Sequence, residues 1–436
     1  MITTTQHRSS HVMRQPFADS ASRRVLFVAP YVPSRIRVRT FHLLRGLVAW
    51  GHHVTLFCPV SSSEEAAELE ALRPFCAEVV GVPHPRRAVL ANYVRAVPTG
   101  LPLQAAHNLS PALVTALRHT IASGKYDVLH VEHLRGAELA RLARQGLPDA
   151  PPAVYDSVDC ISLLFERALR ANPSLKTRAM TLADLARTRR YEAASLAYFQ
   201  HVAVTSPEDR WALKLLHQRH ASGEHAPITV VPNGVDLDYF RPQATPRDPA
   251  TILFSGKMSY HANHSAAHFL LSQIMPLVWR ERPEARVLIV GSKPAPDLQA
   301  FANDSRVTVT GYVPDLRPYM ARATLAACPL RYGVGIQNKV LEAMAMATPV
   351  ITVPQTLVAL AAQPGRDLLL AQDAASFAQT IIQLLDDQAL QQRLGSNGRA
   401  YVEQHHNWQS SVAQLNTCYA TASQTKWFVN SISTAI

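Results

Sequence analysis

Residues 25–57, VLFVAPYVPSRIRVRTFHLLRGLVAWGHHVTLF, decide the fold. Residues 25–29 are an uninterrupted apolar run ended by Pro30, the pattern of a strand buried on both faces. Residues 40–50 then carry apolar side chains at helical spacing and close at Gly51, and 53–58 form a second apolar run. Two strands joined through a helix imply a parallel pair, since a parallel pair needs a crossover of this kind.

The same alternation continues outward. Residues 78–82, 127–131, 153–155 and 202–205 read as further strands, with helical stretches between them. The second half repeats the pattern: strands at 251–255, 286–290, 307–310, 325–328 and 349–353, and helices at 264–280, 315–322, 338–346 and 376–394. The expectation is an α/β protein of two doubly wound, Rossmann-like domains facing across a cleft. The polar stretch 241–250 (RPQATPRDPA) is the expected join.

Composition narrows the function classes. Over 436 residues, 47% are hydrophobic and 17% charged, which excludes a disordered or fibrous chain. No apolar run approaches the roughly 18 residues of a membrane span. Residues 1–22 are polar, lack an apolar export signal and read as a loose tail, so a cytoplasmic protein is expected. Five widely spaced cysteines without a CxxC pair fit a reducing compartment. The net charge of +11 is unevenly placed: residues 1–60 hold eight arginines and one aspartate, whereas 61–240 are balanced at 19 of each sign. That distribution argues against nucleic acid, since no recognition motif accompanies it.

Three stretches now line up in order: VVPNGVDLDYF at 230–240, FSGKM at 254–258 and GVGIQNKVLEAMAMATPV at 333–350. Together they resemble the retaining glycosyltransferases of family 4, which have the GT-B fold. The resemblance spans roughly 24–420 and implies four parts: a tail 1–22, an acceptor-side domain 23–240, a nucleotide-sugar domain 241–400, and a helix 401–424 crossing back to the first domain.

The residues of the third stretch explain why it suits a diphosphate. Gly333, Val334 and Gly335 let backbone approach a ligand, and Ile336, Gln337 and Asn338 lead into a helix whose free N–H groups suit an anion. Lys339 adds a full charge, and Glu342 lies one turn on along the same face. The resemblance implies that Glu342 binds the nucleotide ribose. It also exposes a departure: a second glutamate usual eight positions earlier is Val334 here, leaving backbone N–H groups of 334–337 to meet the donor sugar.

Lys257 stands where the family often carries an arginine, keeping the charge without the bidentate fork. The family's next basic position is Ala262, so His261, Asn263 or His264 are the nearest polar substitutes. By resemblance, Tyr312 and Val313 seat the base, and Glu132 or His133, at a strand end, faces the donor. Arg35, Arg37 and Arg39 replace a glycine-rich loop, and a phosphate is their expected target.

Two weaker patterns are read as structural. His261, His264 and His268 have helical spacing but no carboxylate partner, and Asp236 and Asp238 lie within a turn at Asn233–Gly234. No metal or other cofactor is expected.

The implied reaction moves a sugar from a nucleoside-diphosphate sugar to an acceptor hydroxyl, with retention, in surface-polysaccharide or lipid-linked glycan synthesis. The implied partners are the sugar nucleotide and a glycan or lipid-linked acceptor, with no nucleic acid. Peripheral contact with the inner membrane face through the basic stretches 84–95 and 167–190 is a secondary expectation. A non-catalytic sugar-nucleotide-binding partner and a sugar-nucleotide epimerase are the alternatives.

Overall fold

The structure is a computed structural model that describes residues 21–34, 37–171, 175–330 and 337–425, excluding the side chains of 171 and 175–180. The expected tail falls almost wholly outside these residues, as do Arg35, Gly333, Val334, Gly335 and Ile336.

Among the described residues the first sheet has seven parallel strands in the order β3-β2-β1-β4-β5-β6-β7. They are β1 (Arg24–Val28), β2 (His53–Val60), β3 (Glu78–Pro83), β4 (Val128–Glu132), β5 (Ala153–Val158), β6 (His201–Val204) and β7 (Ile228–Val230). The second sheet runs β10-β9-β8-β11-β12-β13. Its strands are β8 (Thr251–Ser255), β9 (Arg286–Val290), β10 (Val307–Val309), β11 (Leu325–Cys328), β12 (Val350–Thr352) and β13 (Leu369–Leu370). The apolar runs lie at the sheet centres, and Val25 to Val28 are fully buried.

Each strand order reverses direction once, between β1 and β4 and between β8 and β11. Crevices in such sheets open beyond the carboxyl ends of the strands at the reversal. The topology therefore picks out the segments after β1, β4, β8 and β11.

Strands β7 and β13 escaped sequence reading because three and two residues carry no periodicity. The helix expected over 376–394 is two helices, Ala374–Asp386 and Gln388–His405, interrupted where Asp387 caps the second through Leu390 N–H.

The chain joins its two halves through a double crossing. Val235 N–H donates to His406 O at 2.8 Å, and Ser411 Oγ donates to Pro232 O at 2.7 Å. Asn233–Gly234 is thus an extended crossing and not the expected turn. A Cβ on Gly234 would lie 2.7 Å from Trp408 N, so only glycine permits this approach. Beyond the crossing, the Trp408–Gln424 helix buries Val412, Leu415, Tyr419 and Ala422 against the Val25, Phe27, Leu43 and Leu47 side of the first domain.

Candidate functional site

The second-domain half of the site grows from three adjacent strand ends. Gly256, Gly291 and Gly311 follow β8, β9 and β10, all with positive φ. Gly256 N–H donates to Val290 O at 3.0 Å and Gly291 N–H to Gly311 O at 3.1 Å, forming a shelf. A Cβ on Gly291 would fall 1.7 Å from Gly256 O, so the shelf requires glycine there.

Asn263, in the first turn of the His261–Phe269 helix, organises what stands on this shelf. Its Nδ2 donates to Lys257 O at 3.0 Å, and its Oδ1 accepts from Lys339 Nζ. Lys339 lies in the first turn of the Asn338–Ala345 helix, 4.9 Å from the Phe254 ring centre. Burial pulls its pKa below the usual lysine value, partly offset by Cys328 and Glu342. Burial pushes the Glu342 carboxyl up to about 7, and Lys339 opposes that rise. Lys257 itself is exposed, and with Ser259, Tyr260 and Asn263 it lines an open cavity of about 460 Å³.

Lys257, Lys339, Glu342, Gln337 and Asn338 thus share one neighbourhood. Gln337 Oε1 and Asn338 Oδ1 are buried without a hydrogen-bond partner among the described residues. Buried acceptors left open in this way are costly unless something fills them. Tyr312, 72% exposed, and half-buried Val313 sit at the far edge of the shelf, next to Gly311.

The first-domain half lies at the ends of β1, β4 and β5. Glu132 is fully buried; its Oε1 accepts from Thr40 Oγ1 at 2.7 Å, and its Oε2 has no partner among the described residues. Burial, with Asp156 adding to it, pushes its carboxyl up to about 8. His133 follows at φ +64, and burial together with Arg135 pulls its imidazole down to about 3. Val158, at the end of the neighbouring strand, also has positive φ (+67). Two side-chain-bearing residues in this conformation at adjacent strand ends mark backbone strain where the crevice opens. Burial, with Asp159 of the first domain adding to it, raises the pKa of the Tyr260 phenol.

The arginines differ from expectation. Arg39 does not face an open loop. Its guanidinium is buried, forks onto Asp156 at 2.8 and 2.9 Å, and donates through Nη1 to Val231 O and Asn233 Oδ1. It binds the domain crossing to the sheet instead of a phosphate, because a buried cation needs a carboxylate and Asp156 supplies one. Arg37 donates to Val32 O and to Glu65 Oε1, each at 2.9 Å, and stacks 4.3 Å from the Tyr31 ring centre. It stays partly exposed at the crevice.

Reading from sequence missed Asp156, Thr40 and Tyr31 as site neighbours. The Asp156 signal was present as a charged residue inside the apolar run AVYDSV, which predicts a buried pair. Contrary to expectation, the histidine pattern does have a carboxylate partner, since His264 pairs with Asp297; His268 stacks on His264 and lies against Phe301. Among the described residues no group of three or more His, Cys, Asp or Glu is placed to hold a metal.

Known proteins resemble the chain over both of its halves. Residues 249–387 match the family model for glycosyl transferases group 1, and residues 36–234 match a glycosyl transferase 4-like domain. The phosphatidyl-myo-inositol mannosyltransferase of Mycolicibacterium smegmatis is 26% identical over 92% of this chain and 94% of its own. Among solved structures, sucrose-phosphate synthase from Thermosynechococcus elongatus superposes with a TM-score of 0.67 at 20% identity, covering 91% of this chain and 98% of that one. Anabaena HepE in complex with UDP-glucose gives 0.64 at 14% identity, covering 92% and 100%. At those identities the structural likeness shows the GT-B fold.

Proposed function

Because the chain belongs to the glycosyl transferases of group 1, we propose that it transfers a sugar, with retention, from a nucleoside-diphosphate sugar to a hydroxyl of a lipid-linked or surface-glycan acceptor. The observation that carries this reading is the clamp of Asn263 on Lys257 and Lys339 beside the glycine shelf. It holds the half-buried Lys339 ammonium, with exposed Lys257 on the neighbouring segment, where the helix Asn338–Ala345 presents its N-terminal N–H groups.

In this reading the diphosphate lies between Lys257 and Lys339, and the open amide oxygens of Gln337 and Asn338 accept hydroxyl protons of the donor. The bond from the anomeric carbon to the phosphate oxygen breaks as positive charge grows on the ring. The acceptor oxygen then bonds on the same face, and its proton passes to the departing phosphate. Cations held in place before reaction lower that barrier, and partial burial strengthens them. Glu342, poised near 7, accepts from the nucleotide ribose in its ionised form. The chemistry proposed here needs no divalent ion.

Membrane contact belongs to the same proposal. The Arg86–Ala96 helix exposes Leu90 and Val94, with Val97 one turn further, beside exposed Arg86, Arg87 and Arg95. An apolar stripe flanked by cations suits an anionic leaflet bearing the acceptor. Among the described residues no helix is long and apolar enough to cross a membrane.

The test is a thermal-unfolding screen of UDP-, GDP-, dTDP- and ADP-sugars, run with and without EDTA. One base should raise the midpoint equally in both conditions. No shift with any of the four would sink the reading.

A further inference from the structure

We propose that Arg399 is a positioning residue for sugar transfer: its guanidinium ties the chain just past the domain crossing to the carboxyl end of the helix that carries Lys339 and Glu342. This rests on the transferase reading above and concerns what holds the donor helix in place.

The Asn338–Ala345 helix has only eight residues, and its last carbonyls find no partner within the helix itself. Two arginines supply partners. Arg399, half-buried on the Gln388–His405 helix, donates through Nη1 to Ala345 O at 2.7 Å. Arg247, from the join between the domains, donates through Nη2 to Met346 O at 3.3 Å and Ala347 O at 2.8 Å. Cations suit this end of a helix, where the dipole is negative. The helix that bears Arg399 also touches this end directly: a Cβ on Gly395 would lie 2.3 Å from Ala347 O. Ala347 itself has φ +52, a conformation that glycine usually takes just past a helix. The end of the donor helix is therefore fixed by its surroundings and not by its own sequence.

The two arginines differ in their remaining contacts. Arg247 reaches Ala323 O at 2.6 Å and Thr348 Oγ1 at 3.1 Å, both within the second domain. Arg399 reaches Phe240 O at 2.7 Å and Leu237 O at 3.4 Å. These carbonyls follow closely on Val235, whose N–H meets His406 O in the crossing. One planar guanidinium thus bridges the crossing segment and the donor helix; a lysine there keeps the charge without the fork. Glu403 Oε1 accepts from Arg399 Nε at 2.6 Å and is half-exposed, so it orients the guanidinium without carrying the bridge.

Ala345 lies about 9 Å along the helix axis from Lys339. A helix of two turns moves as one piece, so freeing its carboxyl end displaces Lys339 and Glu342 together. A displacement of roughly 1 Å at a reacting centre costs about 100-fold in rate.

Lys339 Nζ lies 4.9 Å from the Phe254 ring centre, so the ring current shifts its ε-methylene resonance and reports its position without turnover. Proton–carbon NMR of the full chain, with Lys339→Arg to identify the signal, is paired with steady-state donor kinetics. In Arg399→Met the Lys339 signal should move towards those of exposed lysines. Its kcat should fall roughly tenfold or more, with donor KM changed by less than about threefold. Arg399→Lys should show the same pattern at smaller size, and it serves where Arg399→Met does not fold. Glu403→Gln, which leaves the carbonyl contacts in place, should match wild type in both readouts. An unmoved Lys339 signal in a folded Arg399 variant overturns the proposal, and so does a moved signal with unchanged kcat. A moved signal in a protein whose wild type transfers no sugar upholds the restraint on the helix and defeats the transferase reading.

Discussion

The side chain of Asn263 joins the Lys339 ammonium to the backbone carbonyl of Lys257, so one amide ties the helix that carries one cation to the segment after β8 that carries the other. Asn263→Ala removes that restraint while changing little of the core. Donor kcat/KM should fall by roughly 10- to 100-fold, with about 1–3 kcal/mol of stability lost with the two hydrogen bonds. Asn263→Asp should raise donor KM further, because the new carboxylate competes with diphosphate for Lys339. Steady-state kinetics on both variants check this, and wild-type constants in either would contradict it.

Arg39 and Asp156 form a buried pair that also grips Val231 and Asn233 at the domain crossing. Arg39→Met strands a carboxylate in the core and should cost about 3–5 kcal/mol in urea unfolding. Arg39→Met with Asp156→Leu should recover much of that loss. A single variant as stable as wild type would show that the pair is not desolvated.

Glu132 carries a pH signature. Its folded-state value, about 8, lies above the ordinary 4.5, so the fold holds this proton more tightly than the unfolded chain does. Its contribution is therefore full below pH 4.5 and is lost as pH rises towards 8. Glu132→Gln cannot ionise. Relative to wild type it should gain roughly 1–3 kcal/mol between pH 5 and pH 9. Parallel stability curves for the two proteins would contradict the assignment.

The stripe of Leu90, Val94 and Val97 should act at a lipid surface. Leu90→Glu with Val94→Glu should reduce co-sedimentation with phosphatidylglycerol vesicles severalfold, and high salt should weaken wild-type binding too. Equal recovery of wild type in the supernatant with and without vesicles would remove the membrane claim.

Much of this arrangement was legible in the sequence, for identifiable reasons. Apolar runs such as 25–29 and 251–255 gave the two sheets because a parallel strand must be buried on both faces. Lys339 and Glu342 could be paired because three residues on a helix share a face. Arg39 could not be placed, since its partner lies 117 positions away and only the β1-β4-β5 strand order brings them together. Arg37 and Arg39, two residues apart, meet different partners for the same reason. Asn263 was visible only as a polar substitute near Lys257; its reach to Lys339 depends on the adjacency of β8 and β11. The uneven charge proved informative in one respect: Arg37 reaches the crevice while Arg39 is absorbed in the core.

The central claim is that Lys339 stabilises a departing nucleoside diphosphate. Proton NMR of the donor's anomeric signal, followed with wild type and with folded Lys339→Ala, measures this directly. The account predicts nucleoside diphosphate release and a product of unchanged anomeric configuration from wild type, slowed by roughly 100-fold or more in the variant. Equal turnover by the two proteins would contradict it.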